Sequence, residues 1–153
     1  MSQYEWDYCH IHQALAEELL WCLIEDQQNA VITYKELCDR AGNVIAPRPS
    51  APYLGDLSYW CVEAGMPMIS SMVVSQETGM PGSGFYPFYR TTYGRDEQDN
   101  FKIFKDELKK VREYKEWYRL AELLDLDEKL IKELKPNRKI EFRFGPTKMK
   151  NIR

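Results

Sequence analysis

The stretch that most constrains the fold is residues 66–85, which the sequence predicts to be one β-hairpin entered directly from the end of a helix. Its first half, residues 69–74, is rich in Ile, Met and Val, which favour a partly buried strand. Thr78 and Gly79, followed by the glycine-rich run 81–84, favour a reversal of the chain before an aromatic run starts at Phe85. We therefore expect two paired strands joined by a loop longer than two residues.

Three helices are predicted before this hairpin. Residues 4–27 carry apolar side chains at three- and four-residue spacings, which is typical of an amphipathic helix. Thr33 is placed to cap a short helix over residues 34–41, and another helix is expected over residues 53–63, after a proline-rich loop. Short strand, helix, loop, helix and hairpin is the order of a winged-helix domain, so we expect an α+β fold with a winged-helix-like core.

The chain is expected to divide into two parts. Residues 1–95 would hold the N-terminal helix and the winged-helix-like domain, and residues 96–153 would form a helical extension. In that extension we predict a long helix over residues 100–124 and a short helix that Asp127 caps. A half-buried strand over residues 140–144 and a basic tail would end the chain.

Charge is unevenly distributed in this chain, whose formal net charge is −3. Residues 1–30 contain six Asp or Glu and no Lys or Arg, whereas the sign inverts from residue 135 onward. No apolar run reaches the roughly 18 residues that a membrane span requires, and no signal peptide is recognised at the N-terminus. We therefore expect a cytoplasmic protein without a membrane partner.

The cysteines and histidines do not form a recognisable metal or disulfide pattern. The four cysteines have spacings that match neither a paired CxxC zinc site nor a compact disulfide framework, so buried free thiols are expected. His10 and His12 lie two residues apart, on different faces of a helix, which disfavours joint metal binding. The sequence thus predicts neither a metal nor a cofactor.

A family resemblance is carried by residues 31–85. Thr33-Tyr34-x-Glu36-Leu37 opens a helix after a short hydrophobic piece, and a Val-Val strand runs into a glycine-rich turn. Through these residues about a third of the chain resembles the winged-helix DNA-binding domain of the O6-alkylguanine alkyltransferases and alkyltransferase-like proteins. That family carries a Pro-Cys-His-Arg stretch with the alkyl-accepting cysteine, where this chain has residues 69–72, Ile-Ser-Ser-Met.

The departure from the family motif decides the expected chemistry. A serine hydroxyl at position 70 with no adjacent base is not an activated nucleophile, so alkyl transfer is not expected. No HExxH, Walker loop, GxSxG or paired-carboxylate arrangement occurs elsewhere in the sequence. We therefore predict a protein that binds and does not catalyse.

Six residues are candidates for contact with a nucleic acid or another partner. The resemblance implies groove contacts from the loop and helix of residues 48–63, although a carboxylate there would repel phosphate. Two arginines beside the predicted wing are placed to grip phosphates. The candidates are Arg48, Tyr53, Asp56, Tyr59, Arg90 and Arg95.

Two functions remain open at this point. The first is a winged-helix-type protein that binds a nucleic acid or a nucleoprotein complex. The second is a phage-encoded accessory protein that inhibits a host defence nuclease, as anti-CRISPR proteins do, through protein–protein contacts. Tyr, Trp and Met, which are favoured at protein interfaces, are frequent in residues 53–93 and support the second.

Overall fold

Seven α-helices and a two-stranded parallel sheet make up residues 4–136, the part of the chain that the computed structural model describes. Two 3-10 turns, Gln27–Asn29 and Ile69–Met72, connect these elements. The expected α+β class is confirmed at this coarse level. The helices are α1 (His10–Glu25), α2 (Tyr34–Arg40), α3 (Ser50–Glu63), α4 (Phe85–Tyr93), α5 (Asn100–Glu113), α6 (Tyr118–Leu123) and α7 (Glu128–Leu134), and the strands are β1 (Ile32–Thr33) and β2 (Val73–Val74).

The predicted hairpin is wrong. Residues 69–72 form a 3-10 turn, and only Val73 and Val74 are extended. They pair in parallel with β1, in the register Ile32 to Val73 and Thr33 to Val74. The chain does reverse after β2, in a loop closed by two hydrogen bonds of 2.8 Å, from the Ser75 amide to the Met80 carbonyl and from the Gly79 amide to the Ser75 carbonyl. That loop returns the chain to a helix instead of a second strand.

The aromatic run after the loop is helical because its buried rings recur at helical spacing. Phe85 and Tyr89 lie four residues apart and are both buried, as is Tyr86 beside them. Pro87 occupies the first turn of α4, where a missing amide hydrogen costs no intrahelical bond. Gly94 ends the helix with φ +64°, a left-handed conformation that glycine adopts without steric cost.

The helices before the sheet follow the local signals of the sequence. The expected cap of α2 is confirmed, since the Glu36 amide donates to Thr33 Oγ1 at 3.1 Å. Helix α3 begins three residues before the predicted start, at Ser50, whose hydroxyl donates to the Pro47 carbonyl at 2.5 Å. Helix α1 is shorter than predicted, and residues 4–9 precede it as a non-helical segment.

The long helix predicted over residues 100–124 is two helices. The backbone of Tyr114 is extended, with ψ 135°, which ends α5 and redirects the chain into α6. The indole of Trp117 then donates to the Val111 carbonyl at 3.1 Å and holds the corner. Asp127 caps α7 as predicted, by accepting from the Lys129 amide at 3.0 Å. The predicted strand at residues 140–144 lies outside the described residues.

One buried cluster unites the two parts of the chain. Helix α1 packs against α3, α6 and α7, and α5 packs against the 3-10 turn before β2. Side chains from both sides of residue 95 share this cluster, for example Leu20 and Leu57 with Ile103 and Leu120. The N-terminal helix and the C-terminal helices therefore cover the same core.

A buried carboxylate ties α5 to the turn before β2. Glu107 is fully buried, and its Oε2 accepts from the Met68 amide at 2.8 Å and from the Tyr93 hydroxyl at 2.5 Å. Its Oε1 has no hydrogen-bond partner and lies 3.8 Å from Lys110 Nζ. Burial and the bond to Glu107 raise the pKa of Tyr93 above the ordinary value, so this phenol stays protonated and continues to donate.

The four cysteines are free thiols, as expected, but they are not all buried. Cys22, Cys38 and Cys61 are buried, whereas Cys9 is exposed at the start of α1. Complete burial raises the pKa of Cys61 from its ordinary 9.0 to about 12, because the thiolate cannot be hydrated there. Cys61 is therefore a structural side chain and not a reactive one.

This thiol predicts a loss of stability in alkaline solution. Below pH 9 both folded and unfolded states keep the Cys61 proton, whereas between pH 9 and about 12 only the unfolded state releases it. The free energy of unfolding should therefore decline through this interval, as urea titrations at a series of pH values would show. A Cys61→Ala variant should decline less steeply, and an identical slope would contradict the assignment.

Candidate functional site

A cavity of about 310 Å³ lies between the start of α2, the first half of α3 and the start of α4. Larger depressions elsewhere on the described surface are more open to solvent. Three aromatic rings contribute to this cavity, together with one hydroxyl from the turn before β2. Its walls include Tyr34, Leu54, Gly55, Ser70, Phe85 and Phe88.

Tyr34 joins the two sides of the cavity. It is the first residue of α2, and its hydroxyl accepts a hydrogen bond from the Gly82 amide at 2.9 Å. The hydroxyl of Tyr86 donates to the Pro81 carbonyl at 2.9 Å and holds the same loop from the other side. Burial raises the pKa of Tyr34, while the Gly82 bond opposes the shift, so the group is a neutral phenol.

Glycine keeps the cavity open. A Cβ atom at Gly55 or at Gly84 would have no atom within 4 Å, so larger side chains at either position would project into free space. Gly55 is also in the interior of α3, where glycine costs about 1 kcal/mol relative to alanine. Glycine at position 55 therefore lowers the stability of α3, and it leaves the cavity free of a side chain.

A pair of serines forms the polar part of the wall. Ser58 Oγ donates to Ser70 Oγ at 2.7 Å and accepts from the Ser70 amide at 2.9 Å. Ser58 is fully buried and Ser70 nearly so. In this arrangement Ser70 Oγ accepts, and its own proton has no acceptor among the described residues. Ser70 also lines the cavity, and its hydroxyl keeps the capacity to donate one hydrogen bond.

The cavity wall lacks the groups that activate a nucleophile. None of its described lining residues is His, Cys, Lys, Arg, Asp or Glu. A serine becomes a nucleophile when a neighbouring base takes its proton, and here Ser70 is bonded to another serine. The cavity is therefore equipped for stacking and hydrogen bonding rather than for covalent catalysis.

Two of the predicted contact residues, Tyr53 and Asp56, are turned toward α1. His12 Nδ1 accepts from the Cys9 amide at 3.0 Å, so the ring carries its proton on Nε2 and donates it to Asp56 Oδ2 at 2.9 Å. The Tyr53 ring meets the His12 ring edge-on, with centroids 5.0 Å apart. These two side chains stabilise the contact between α1 and α3.

The N-terminal segment covers the adjoining part of α3. Trp6 stacks on Trp60, with ring centroids 5.4 Å apart and planes 8° from parallel. Its indole also donates to Glu63 Oε1 at 2.8 Å. Asp56 and Glu63, the two carboxylates of α3, therefore accept hydrogen bonds from the protein itself.

The other four predicted residues lie at separate places. Arg48 is exposed in the loop before α3, and its carbonyl accepts from the amide of Ala51, a residue of the cavity wall, at 3.4 Å. Tyr59 is 51% exposed on the outer face of α3. Arg90 and Arg95 lie at the end of α4, beside a shallow depression. Arg48 lies three residues before Ala51 of the cavity wall, and Arg90 lies two residues after Phe88 of that wall.

Arg90 and Arg95 are held by neighbouring groups. Arg90 donates to the Glu97 carbonyl at 3.2 Å. Arg95 donates to Tyr89 Oη at 2.8 Å, and its guanidinium lies 4.7 Å from the centre of the Tyr93 ring. Both arginines therefore stabilise the turn that leaves α4.

Several cavity residues were not singled out as a site from the sequence. The four-residue spacing of Phe85 and Tyr89 was the available signal that this run is a helix. This helix brings Phe88 to the same cavity wall as Tyr34. Gly55 gives a second signal, because glycine in a helix interior usually has a packing or functional reason.

The fold and the site define a mostly helical α+β protein with an aromatic-lined cavity. Comparison of the chain with family models, curated proteins and solved structures returned no significant similarity. Within residues 4–136, no helix has the length and apolar character needed to cross a membrane. In the same range, no three His, Cys, Asp or Glu side chains are grouped to hold a metal ion.

Proposed function

We propose that this protein is a non-enzymatic nucleic-acid-binding protein that accepts one unpaired base in the aromatic cavity. The observation that carries the proposal is the cavity of about 310 Å³, whose walls include Tyr34, Phe85, Phe88 and Ser70. Aromatic rings bind bases of any sequence, because every base has a π face, and each stacked base contributes about 1–3 kcal/mol.

The concave shape of the cavity favours an unpaired base over a paired one. A base within a duplex presents only its groove edges, whereas a base in single-stranded or distorted nucleic acid can enter a pocket. Ser70 is placed to donate one hydrogen bond to such a base. Arg48, which is exposed three residues before Ala51 of the wall, would contact the adjoining phosphate.

The resemblance to alkyltransferase-like proteins supports the same proposal. Ser70, at the position of that family's alkyl-accepting cysteine, contributes to the cavity wall. In this proposal α2 and α3 are the helix pair of a winged-helix-like core, and the loop after β2 replaces the hairpin wing. With serine there and no base beside it, the protein retains ligands without transferring a group.

The proposal is tested by filling the cavity from Gly55. A Gly55→Leu variant should bind a fluorescein-labelled oligothymidylate roughly tenfold or more weakly than the natural chain, because loss of one stacked base removes about 1–3 kcal/mol. Anisotropy titrations at low salt measure the affinity. The control is Gly55→Ala, which should retain most of the binding. Both substitutions add helix propensity, so Gly55→Ala should be about 1 kcal/mol more stable than the natural chain.

Two results would reject this function. One is the absence of binding to single-stranded oligonucleotides at low salt. The other is an unchanged affinity of the Gly55→Leu variant, which would show that any binding occurs away from the cavity. A duplex with one unpaired thymine should bind more tightly than the same duplex fully paired.

A second function is favoured by the N-terminal segment. In residues 4–8 half-buried aromatic rings alternate with the exposed carboxylates of Glu5 and Asp7. An extended acidic and aromatic segment suits a basic nucleic-acid channel, so the alternative is a phage-encoded, anti-CRISPR-like inhibitor of a host nuclease. A Glu5→Lys/Asp7→Lys variant should then lose inhibition of the target nuclease while it still binds oligonucleotides.

A further inference from the structure

A second surface carries an excess of positive charge on a chain whose net charge is −3. Residues 102–115 contain six Lys or Arg against three Asp or Glu, and one of those acids, Glu107, is fully buried. Part of this segment lines a groove of about 460 Å³ between α5 and the turn at residues 27–29. Its charged and polar walls are Gln28, Lys105, Lys109, Arg112, Glu113 and Lys115.

Ion pairing within the described part of the groove leaves two lysines without a carboxylate partner. Lys109 Nζ is 2.9 Å from Glu113 Oε2, which neutralises one pair. Lys105 and Lys115 have no carboxylate partner among the described residues, and Lys105 Nζ lies 5.2 Å from the ring of Phe101. That ring is 55% exposed. The groove therefore presents positive charge next to an accessible aromatic face.

Arg112 connects this groove to the strand that leads to the cavity. Its Nε donates to the Ala30 carbonyl at 3.1 Å, so its terminal nitrogens remain able to donate. Only residues 31–33 separate Ala30 from Tyr34, the residue on the cavity wall. An extended chain of that length places the two Cα atoms at most about 14 Å apart.

We propose that this groove binds the sugar–phosphate backbone of the same nucleic-acid strand whose base enters the cavity. The inference rests on the proposed function and extends it to a single-stranded ligand held at two adjacent places. Lys105, Arg112 and Lys115 would neutralise phosphates, and the Phe101 ring offers a face for a second base. Neutralised phosphates release counterions, so the groove should account for much of the salt dependence of binding.

The test removes the two unpaired lysine charges of the groove. It compares the effect on binding with the effect of removing two lysine charges elsewhere. A Lys105→Gln/Lys115→Gln variant should bind oligothymidylate several-fold more weakly at low salt than the natural chain. The slope of log K against log salt should become shallower by about 0.7 for each phosphate that the variant no longer neutralises. The control Lys129→Gln/Lys132→Gln removes two exposed cations from α7 and should change both quantities far less.

An oligonucleotide of abasic sugar–phosphate units separates the two sites. The groove proposal predicts that this probe binds weakly, and that the Lys105→Gln/Lys115→Gln variant loses this binding while Gly55→Leu does not. If the groove variant keeps natural affinity and slope while Gly55→Leu loses binding, the groove is rejected and the cavity stands. If the groove variant is weakened and Gly55→Leu is not, the cavity fails and the groove stands. Equal weakening by the α7 control would reject the groove, because net charge alone would explain the effect.

Discussion

A Glu107→Ala variant is expected to lose roughly 2–6 kcal/mol of its free energy of unfolding, the largest single effect that the structure predicts. The carboxylate is fully buried and accepts from the Met68 amide and from the Tyr93 hydroxyl. Alanine would leave both donors without an acceptor, and each buried unsatisfied donor costs about 1–3 kcal/mol. Small domains are only about 5–15 kcal/mol stable, so this loss would remove a large fraction of the total stability.

The Glu107→Gln variant is the matched control. Glutamine has the same shape and retains a carbonyl oxygen for the two donors, but it places an amide group near Lys110, where Oε1 now lies 3.8 Å from Nζ. Its loss of stability in urea titrations should be well below that of alanine. A Glu107→Ala loss under about 1 kcal/mol would show that Met68 and Tyr93 find other acceptors, which contradicts the assigned role.

The second large effect is expected for Ser58→Ala, at about 1–3 kcal/mol. Ser58 Oγ accepts from the Ser70 amide at 2.9 Å and donates to Ser70 Oγ at 2.7 Å. Alanine leaves this amide unpaired, and it removes the bond that orients the Ser70 hydroxyl in the cavity wall. Thermal unfolding of the natural and variant chains measures the first effect, and the oligonucleotide titration measures the second.

Ser71→Ala gives a control at a site of the same burial. Ser58 and Ser71 are both fully buried, but Ser71 Oγ has no hydrogen-bond partner. Removing an unsatisfied buried hydroxyl is therefore expected to be neutral or stabilising. If Ser71→Ala were as destabilising as Ser58→Ala, the loss would come from packing and not from the serine pair.

The cavity and its supports explain why binding and stability can be altered separately. Ser58 accepts from the Ser70 amide and Glu107 accepts from the Met68 amide, so both residues support the turn before β2. Gly55 only leaves the neighbouring space free of a side chain. Gly55→Leu should therefore reduce binding without reducing stability, and Glu107→Ala should reduce stability first. This separation keeps the functional test independent of folding.

The local features of the fold were predictable from neighbouring residues. Thr33 and Asp127 cap α2 and α7 because a side-chain oxygen reaches an amide two or three residues away, a geometry that needs no other part of the chain. The amphipathic periodicity of residues 4–27 likewise predicted α1, although the helix itself covers only His10–Glu25. The roles of the six predicted contact residues were harder to predict. Tyr53 and Asp56, for example, contact His12, which is more than forty residues away in the sequence.

The amino-acid sequence alone specified the caps of α2 and α7, the acidic N-terminus and the Ile-Ser-Ser-Met run at residues 69–72. Only the tertiary structure decided the partner of β2, because Val73 pairs with Ile32 from a distant part of the chain. That parallel pairing leaves residues 85–93 free to fold as a helix, which carries Phe85 and Phe88 to the cavity. Strand propensity describes a residue and its neighbours, whereas pairing and cavities depend on which distant residues pack together.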